Sequence, residues 1–209
     1  MMRLERLLWD LGYTRVAGVD EAGLGPLAGP VVAAAVVFAP GATRALDVDD
    51  SKRLTARRRE ELEKQIREEA LAVGCGVVEV DELDRIGVYQ AGHEAMRRAL
   101  ESIEPAADYA LVDARTVPGV EFGQSAYTKA DTFVYSVASA SIIAKVTRDE
   151  MMRDLDRRYP GYDFGRHMGY GTAAHLAALE KLGPSPVHRR SFAPIRRLLA
   201  GGEAEGAAP

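Results

Sequence analysis

Cysteine is nearly absent from this chain. Cys75 is the one cysteine among 209 residues, so no disulfide can form within it, and a reducing, cytoplasmic compartment is expected. Long apolar runs are missing too. The longest, Val31 to Phe38, has the length of a strand, well short of the roughly 18 residues that a membrane helix needs. The N-terminus carries Arg3, Glu5 and Arg6 among its leucines and lacks the apolar run and cleavage site of a secretory signal. No His or Cys cluster has zinc spacing, no Walker-type loop occurs, and no internal repeat is visible. These absences exclude a disulfide mini-protein, a structural zinc module and a membrane-spanning helix. The expectation is a cytoplasmic monomer with no membrane partner.

What is present is ordinary for a globular protein. Hydrophobic residues make up 47% and charged residues 28%, enough to fill a core and solvate a surface. The length fits one domain with an appendage. A net charge of −4 argues against a general nucleic-acid binder, but the charge is uneven. Residues 138–200 carry 11 Lys+Arg against 6 Asp+Glu. An acidic body with a basic C-terminal third could hold cations in one place and a polyanion in another. A solvated helical face is the other reading of the same charges.

The periodicity predicts strands at Thr14–Asp20, Val31–Phe38, Val73–Val80, Tyr109–Asp113 and Gln124–Thr128, with Gly23 to Pro30 as a glycine-rich turn. Helical spacing covers Thr55–Leu71, Val88–Ile103, Thr132–Tyr159, Thr172–Leu182 and Pro194–Leu199, with Thr55 as an N-cap. The pattern is α/β with a helical C-terminal third. The first three strands could be antiparallel, because residues 40–53 read as a loop and not as a crossover helix.

Carboxylates stand at strand ends. Asp20 and Glu21 close the first strand, Asp113 closes the fourth, and Asp131 precedes the long helix. Gathered together they would repel one another, and a divalent cation removes that conflict. Hard oxygen donors select Mg²⁺ or Mn²⁺. Two such ions, roughly 3.5–4 Å apart, clamp the attacking and leaving oxygens in phosphodiester cleavage. The competing reading makes Asp20 and Asp113 turn or helix caps and Glu21 a surface residue.

The residues around those four are more specific. Gly18-Val-Asp-Glu-Ala-Gly-Leu-Gly-Pro-Leu-Ala-Gly-Pro30 closely resembles the N-terminal signature of the ribonuclease HII family, the type 2 ribonucleases H. Asp50-Ser-Lys-Arg-Leu54, Leu111-Val-Asp113, Lys129-Ala-Asp131, Ser136 to Asp149, His167 to Thr172 and His188 to Phe192 are similar to further landmarks of that family, in order. The resemblance covers about Ala17 to Leu199. It implies a ribonuclease H-like fold: a five-stranded mixed sheet flanked by helices, with a helical C-terminal region. Residues 1–160 would form the catalytic domain and 161–200 a helical region contributing to substrate binding. Residues 201–209 would be a disordered tail.

The implied activity is endonucleolytic cleavage of the RNA strand of RNA–DNA hybrids. Incision 5′ to single ribonucleotides in duplex DNA is implied as well. Asp20, Glu21, Asp113 and Asp131 would be the catalytic carboxylates, holding Mg²⁺ or Mn²⁺. The backbone of Gly23, Leu24 and Gly25 would read the ribose 2′-OH, which separates RNA from DNA. Tyr170 would stack on the neighbouring sugar. Ser51 and Lys52 suit phosphate contact, as does Arg189 in the small basic cluster His188-Arg-Arg190. Each has a plainer reading: Tyr170 as a packing tyrosine, Ser51 and Lys52 as a turn, Arg189 as structural. Arg148 and Asp149 read as a surface pair or caps, with Asp149 the rival of Asp131. His93 reads as an ordinary surface residue.

Three positions depart from the family pattern: Leu24 where arginine is usual, Ala114 where bacterial members have glycine, and Met168 where lysine is usual. Two lost cations leave a second reading open, a catalytically weakened hybrid-binding protein of the same fold. A DNA-cleaving two-metal nuclease is a third. The glycine turn and Tyr170 count against it, because both suit 2′-OH and junction recognition.

Overall fold

The computed structural model describes residues 1–42, Val48 and 54–205. Its centre is a five-stranded sheet in the order β3-β2-β1-β4-β5. The strands are β1 (Val16–Ala22), β2 (Val31–Val37), β3 (Ala72–Val78), β4 (Tyr109–Asp113) and β5 (Gly123–Tyr127). Strands β1, β2 and β3 pair antiparallel, while β4 lies parallel to β1 and β5 parallel to β4. The connections account for this split. Residues 23–30 link β1 to β2 and are too few for a crossover, so the chain must turn back. Between β3 and β4 run helices α3 (Val80–Ile86) and α4 (Val88–Glu101), which carry the chain across so that β4 enters beside β1 in the same direction. The fold is therefore the expected mixed sheet, with its first three strands antiparallel.

Strand β2 is buried along its whole length, which explains its unbroken run of Val and Ala. Alternate residues serve opposite layers. Val31, Ala33, Ala35 and Val37 pack with Ala91, Ala95, Met96 and Ala99 of α4. Ala34 and Val36 face Leu62 and Ile66 of α2 (Ala56–Glu69) and Ile142 and Ile143 of α5 (Tyr135–Arg158). Thr55 caps α2 as expected, its side chain accepting from the Arg58 N–H.

Helix α5 lies against β1 with almost no space between them. A Cβ added to Gly18 would sit 2.1 Å from the carbonyl carbon of Ser136, so only glycine permits the approach. The N-terminus of α5 is satisfied from far away. Glu5, buried on α1 (Arg3–Asp10), accepts from the Ser136 N–H at 2.8 Å and from its hydroxyl at 2.9 Å. An anion at that end also suits the helix dipole. Neither α1 nor α3 stood out in the sequence, and Val80, read as the end of β3, begins α3 instead.

The C-terminal third forms α6 (Phe164–His167), α7 (Ala173–Leu182) and α8 (Ala193–Glu205). Helix α8 runs five residues beyond Ala200, into the segment read as a tail. These helices share a core with the end of α5 and with the glycine-rich loop: Leu27 and Ala28 pack with Met152, Leu155, Phe164, Leu179 and Ile195. Backbone bonds stitch the same surfaces, from Leu27 N to Gly169 O (2.8 Å), Gly29 N to Val187 O (2.9 Å) and Arg189 N to Leu27 O (2.9 Å). No helix among the described residues is long and apolar enough to cross a membrane.

Gly18→Ala should destabilise the protein by roughly 3 kcal/mol or more, because neither backbone can retreat. Urea denaturation of the variant against the parent protein measures this; a loss below about 1 kcal/mol would show that α5 can slide off β1.

Candidate active site

Parallel pairing of β1 with β4 assembles the carboxylates. Val19 pairs with Val112, so one step further along the register Asp20 and Asp113 stand side by side. Asp20 is buried. Burial pushes its carboxyl well above the usual range, and the charges of Glu21 and then Asp113 push it the same way. A hydrogen bond from the Ser141 hydroxyl on α5 and one from the Glu21 N–H, at 2.7 Å, oppose the rise.

Asp113 faces the turn that follows β5. Its Oδ1 accepts the Ala130 N–H at 2.7 Å. Lys129 there is left-handed, with φ 60°, and Ala130–Thr132 forms a short 3-10 turn that buries Asp131. Asp131 is thus anchored next to Asp113 through its neighbour's backbone. Among the described residues, no three His, Cys, Asp or Glu side chains close into a ready-made ion cage. The donor chemistry nonetheless fits a hard divalent cation. The donors are all oxygen, and the Asp20 carboxyl, raised first by burial and then by the charges of Glu21 and Asp113, is one whose charged form such an ion would favour.

Asp149, the rival carboxylate, has a different setting. It lies about two turns along α5 from Ser141, buried, paired with Arg59 at 3.6 Å and with Lys145. Two cations neutralise it. The expectation of a surface residue is corrected for both Asp149 and Arg148, since Arg148 is buried too.

Arg148 and Arg189 clamp the glycine-rich loop. Arg148 donates to the carbonyls of Pro30 (3.0 Å), Ala28 (3.2 Å) and Met168 (3.1 Å). Arg189 donates to those of Gly29 (3.0 and 2.8 Å), Leu24 (3.0 Å) and Gly23 (2.6 Å). Gly23 has φ +101°, and a Cβ there would meet Arg148 Nε at 2.2 Å, so the turn requires glycine twice over. Burial, together with the nearby Arg148 charge, pulls the Arg189 guanidinium down to about 9. The expectation that Arg189 contacts phosphate is therefore corrected. Its guanidinium is turned inward onto backbone oxygens and offers nothing to solvent. His188 is buried as well.

Tyr170 is 47% exposed, and its ring lies 3.8 Å from where a Cβ on Gly25 would stand. Ring and turn face the same space. Leu24 lines a cavity of about 140 Å³ together with Glu21, Asp113, Ala114 and Arg115, with its side chain against Gly92 of α4. His93, read as a surface residue, lies on this wall also. Arg115 rests over the Tyr89 ring at 5.3 Å, and neither residue had any signal in the sequence. Ala114 has φ 59°, a left-handed position where glycine is free of the Cβ clash, which explains the family preference. Met168 packs against the third core. Ser51 and Lys52 lie outside the described residues.

Comparison with known proteins followed the same lines. A family model described as Ribonuclease HII matches residues 17–195. A ribonuclease HII of Geobacillus thermodenitrificans is 52% identical over 199 residues, covering 95% of this chain and 76% of that one. One of Myxococcus xanthus is 50% identical over 200 residues, covering 95% and 68%. Among solved structures, ribonuclease H2 of Pyrococcus horikoshii superposes with a TM-score of 0.77 at 29% identity, covering 90% of this chain and 99% of that one. The ribonuclease HII of Archaeoglobus fulgidus, solved in complex with PCNA, gives 0.72 at 27% identity, covering 88% and 96%.

The carboxylate cluster makes a stability prediction. A raised carboxyl favours folding at low pH, and that contribution is lost as pH rises through the folded-state value. Without divalent ions, Asp20→Asn should raise the melting temperature by roughly 2–4 °C at neutral pH, and the gain should shrink towards pH 4. Added Mg²⁺ should stabilise the parent protein and not the variant. Thermal melts in chelator and in Mg²⁺ measure both effects; a lower melting temperature for the variant in chelator would refute the crowded-charge account.

Proposed function

The chain belongs to the ribonuclease HII family and is a metal-dependent endoribonuclease of type 2, and from that premise we propose a specific activity. It cleaves the RNA strand of RNA–DNA hybrids and incises 5′ to single ribonucleotides embedded in duplex DNA, by two-metal hydrolysis. One observation carries this reading. A single cavity is lined both by the carboxylates Glu21 and Asp113 and by Leu24 of the glycine turn, with Tyr170 beside that turn. Chemistry and ribose reading fall within one space.

In this reading Asp20, Glu21, Asp113 and Asp131 hold Mg²⁺ or Mn²⁺. When bound, the ions supply a nucleophilic water and stabilise the leaving 3′-oxygen. The backbone of Gly23–Gly25, fixed from behind by Arg148 and Arg189, reads the 2′-OH. Tyr170 stacks on the neighbouring sugar, and residues 161–200 contribute to binding by presenting it. Ser141 keeps Asp20 oriented by its hydroxyl. No side chain has to act as sole general base. Ser51 and Lys52 are assigned to phosphate contact by motif. Binding without turnover is the rival reading, drawn from Leu24 and Met168. Both side chains pack against apolar neighbours, so the loss falls on charge near the substrate and leaves the carboxylates intact.

The test is single-turnover incision of a duplex carrying one ribonucleotide, in Mg²⁺, with the cut position mapped. Asp131→Asn should slow the reaction by roughly 10²–10³-fold with the fold intact. Asp149→Asn should leave the rate within a few-fold, yet cost about 3 kcal/mol of stability by removing the carboxylate that Lys145 and Arg59 share. Equal rate losses would transfer the fourth carboxylate role to Asp149. Metal-independent binding with no product would favour the rival reading.

A further inference from the structure

Three buried histidines that the reaction above does not use stand in a column beneath Tyr170. His167 and His175 stack with ring centroids 4.4 Å apart, and His188 lies 5.2 Å from His175. Phe164 touches all three at 5.4–6.0 Å, and Tyr162 packs on His188.

The hydrogen bonds dictate every proton in the column, because a backbone N–H only donates. The Ser185 N–H donates to His188 Nδ1 at 2.9 Å, joined by the Ser185 hydroxyl at 2.8 Å. His188 Nδ1 is therefore bare, and its proton sits on Nε2. That N–H meets His175 Nε2 at 2.9 Å, which must accept. The His175 proton is then on Nδ1, donated to the Tyr170 carbonyl at 2.9 Å. Likewise the Gly169 N–H donates to His167 Nδ1 at 3.2 Å, and His167 Nε2 donates to the Tyr162 carbonyl at 2.7 Å. All three rings are neutral, and two of them end on Gly169-Tyr170. The Gly169 carbonyl in turn accepts the Leu27 N–H at 2.8 Å, closing the path to the glycine turn.

We propose that His167, His175 and His188 are positioning residues for Tyr170: the neutral imidazole column fixes where that ring stands against Gly25, and so sets the preference for an isolated ribonucleotide over a long hybrid. This rests on the reading of Tyr170 as the junction tyrosine. An apolar column would fill the same space and leave the Tyr170 carbonyl to the Thr172 N–H alone, which it accepts at 2.8 Å. A second proton on any ring would meet an N–H already pointing at it. Burial, reinforced by the other histidines of the column, holds His188 down at about 4 and His175 below its ordinary value. Among the cations nearby, Arg148 donates to the Met168 carbonyl just before Gly169, and Arg189 grips the glycine-rich loop.

The readout is the ratio of incision rates on a single-ribonucleotide duplex and on a long RNA–DNA hybrid. Changes in metal binding or in water attack act on both substrates and cancel. Tyr170→Ala should lower the ratio roughly 10-fold through lost stacking. His175→Asn keeps an N–H near the Nδ1 position for the Tyr170 carbonyl; His175→Gln places its amide near Nε2 and serves only His188. The Gln variant should lower the ratio towards that of Tyr170→Ala, while the Asn variant, equally deprived of one bond, should stay within about twofold of the parent. At His167 the same exchange gives a second test if a His175 variant fails to fold: Asn keeps the Gly169 bond, Gln only the Tyr162 bond. If Tyr170→Ala leaves the ratio unchanged, the junction reading of the tyrosine fails. If Tyr170→Ala lowers it but the Asn and Gln variants match each other, the positioning proposal is overturned.

Discussion

Two guanidinium groups buried in the same protein interior hold the backbone carbonyls of one loop, and the rest of the site depends on them. Arg148 comes from the long helix and Arg189 from the C-terminal segment, and between them they engage Gly23, Leu24, Ala28, Gly29 and Pro30. Burying a cation is costly unless its donors are satisfied. Here the acceptors are peptide oxygens, so the charge stabilises a backbone shape. Bonds of this charged kind are worth about 1.5–3 kcal/mol each, enough to hold a turn that glycine alone would leave loose.

The carboxylates are organised on the opposite principle. The parallel β1–β4 pairing brings like charges together, and the protein tolerates the conflict through one serine hydroxyl and backbone N–H groups. The result is a site poised for a cation, beside a turn whose own cations face away from it. The two halves do not neutralise each other, because Arg148 and Arg189 are committed to carbonyls and Asp149 absorbs Lys145 and Arg59. Negative charge is left where a metal is needed.

Much of this was legible in the residues. The unbroken apolar run of β2 and the ordered motifs sufficed for the sheet and the family, and the carboxylates at strand ends pointed to Asp20 and Asp113, which the β1–β4 pairing sets side by side. What was not legible depends on partners far apart in the chain. Nothing in the sequence marks Glu5 for burial, which follows only from Ser136 being placed against it. Arg189 reads as a phosphate ligand because its basic neighbours give no hint of burial. His167 and His188 fall in two separate motifs, His175 falls in neither, and the three become a column only when α7 folds over Phe164. Helix α3 was hidden because Val80 continues the alternation of β3, and the helix is too short to show a period. Ala114 was noticed as a departure, but its left-handed backbone is a property of the turn and not of the residue.

The third core has a consequence for biosynthesis. Leu27 and Ala28 of the glycine-rich loop find their packing partners in Phe164, Leu179 and Ile195, contributed by the last third of the chain. Synthesis runs from the N-terminus, so the residues of the sheet leave the ribosome before those of the last third. The sheet and its carboxylates can therefore close while the glycine turn still lacks the residues that shape it. A nascent chain would carry the acidic centre without a shaped glycine turn, and that shape would arrive only with Arg189, near the end of synthesis. The loop beside the carboxylates is completed last.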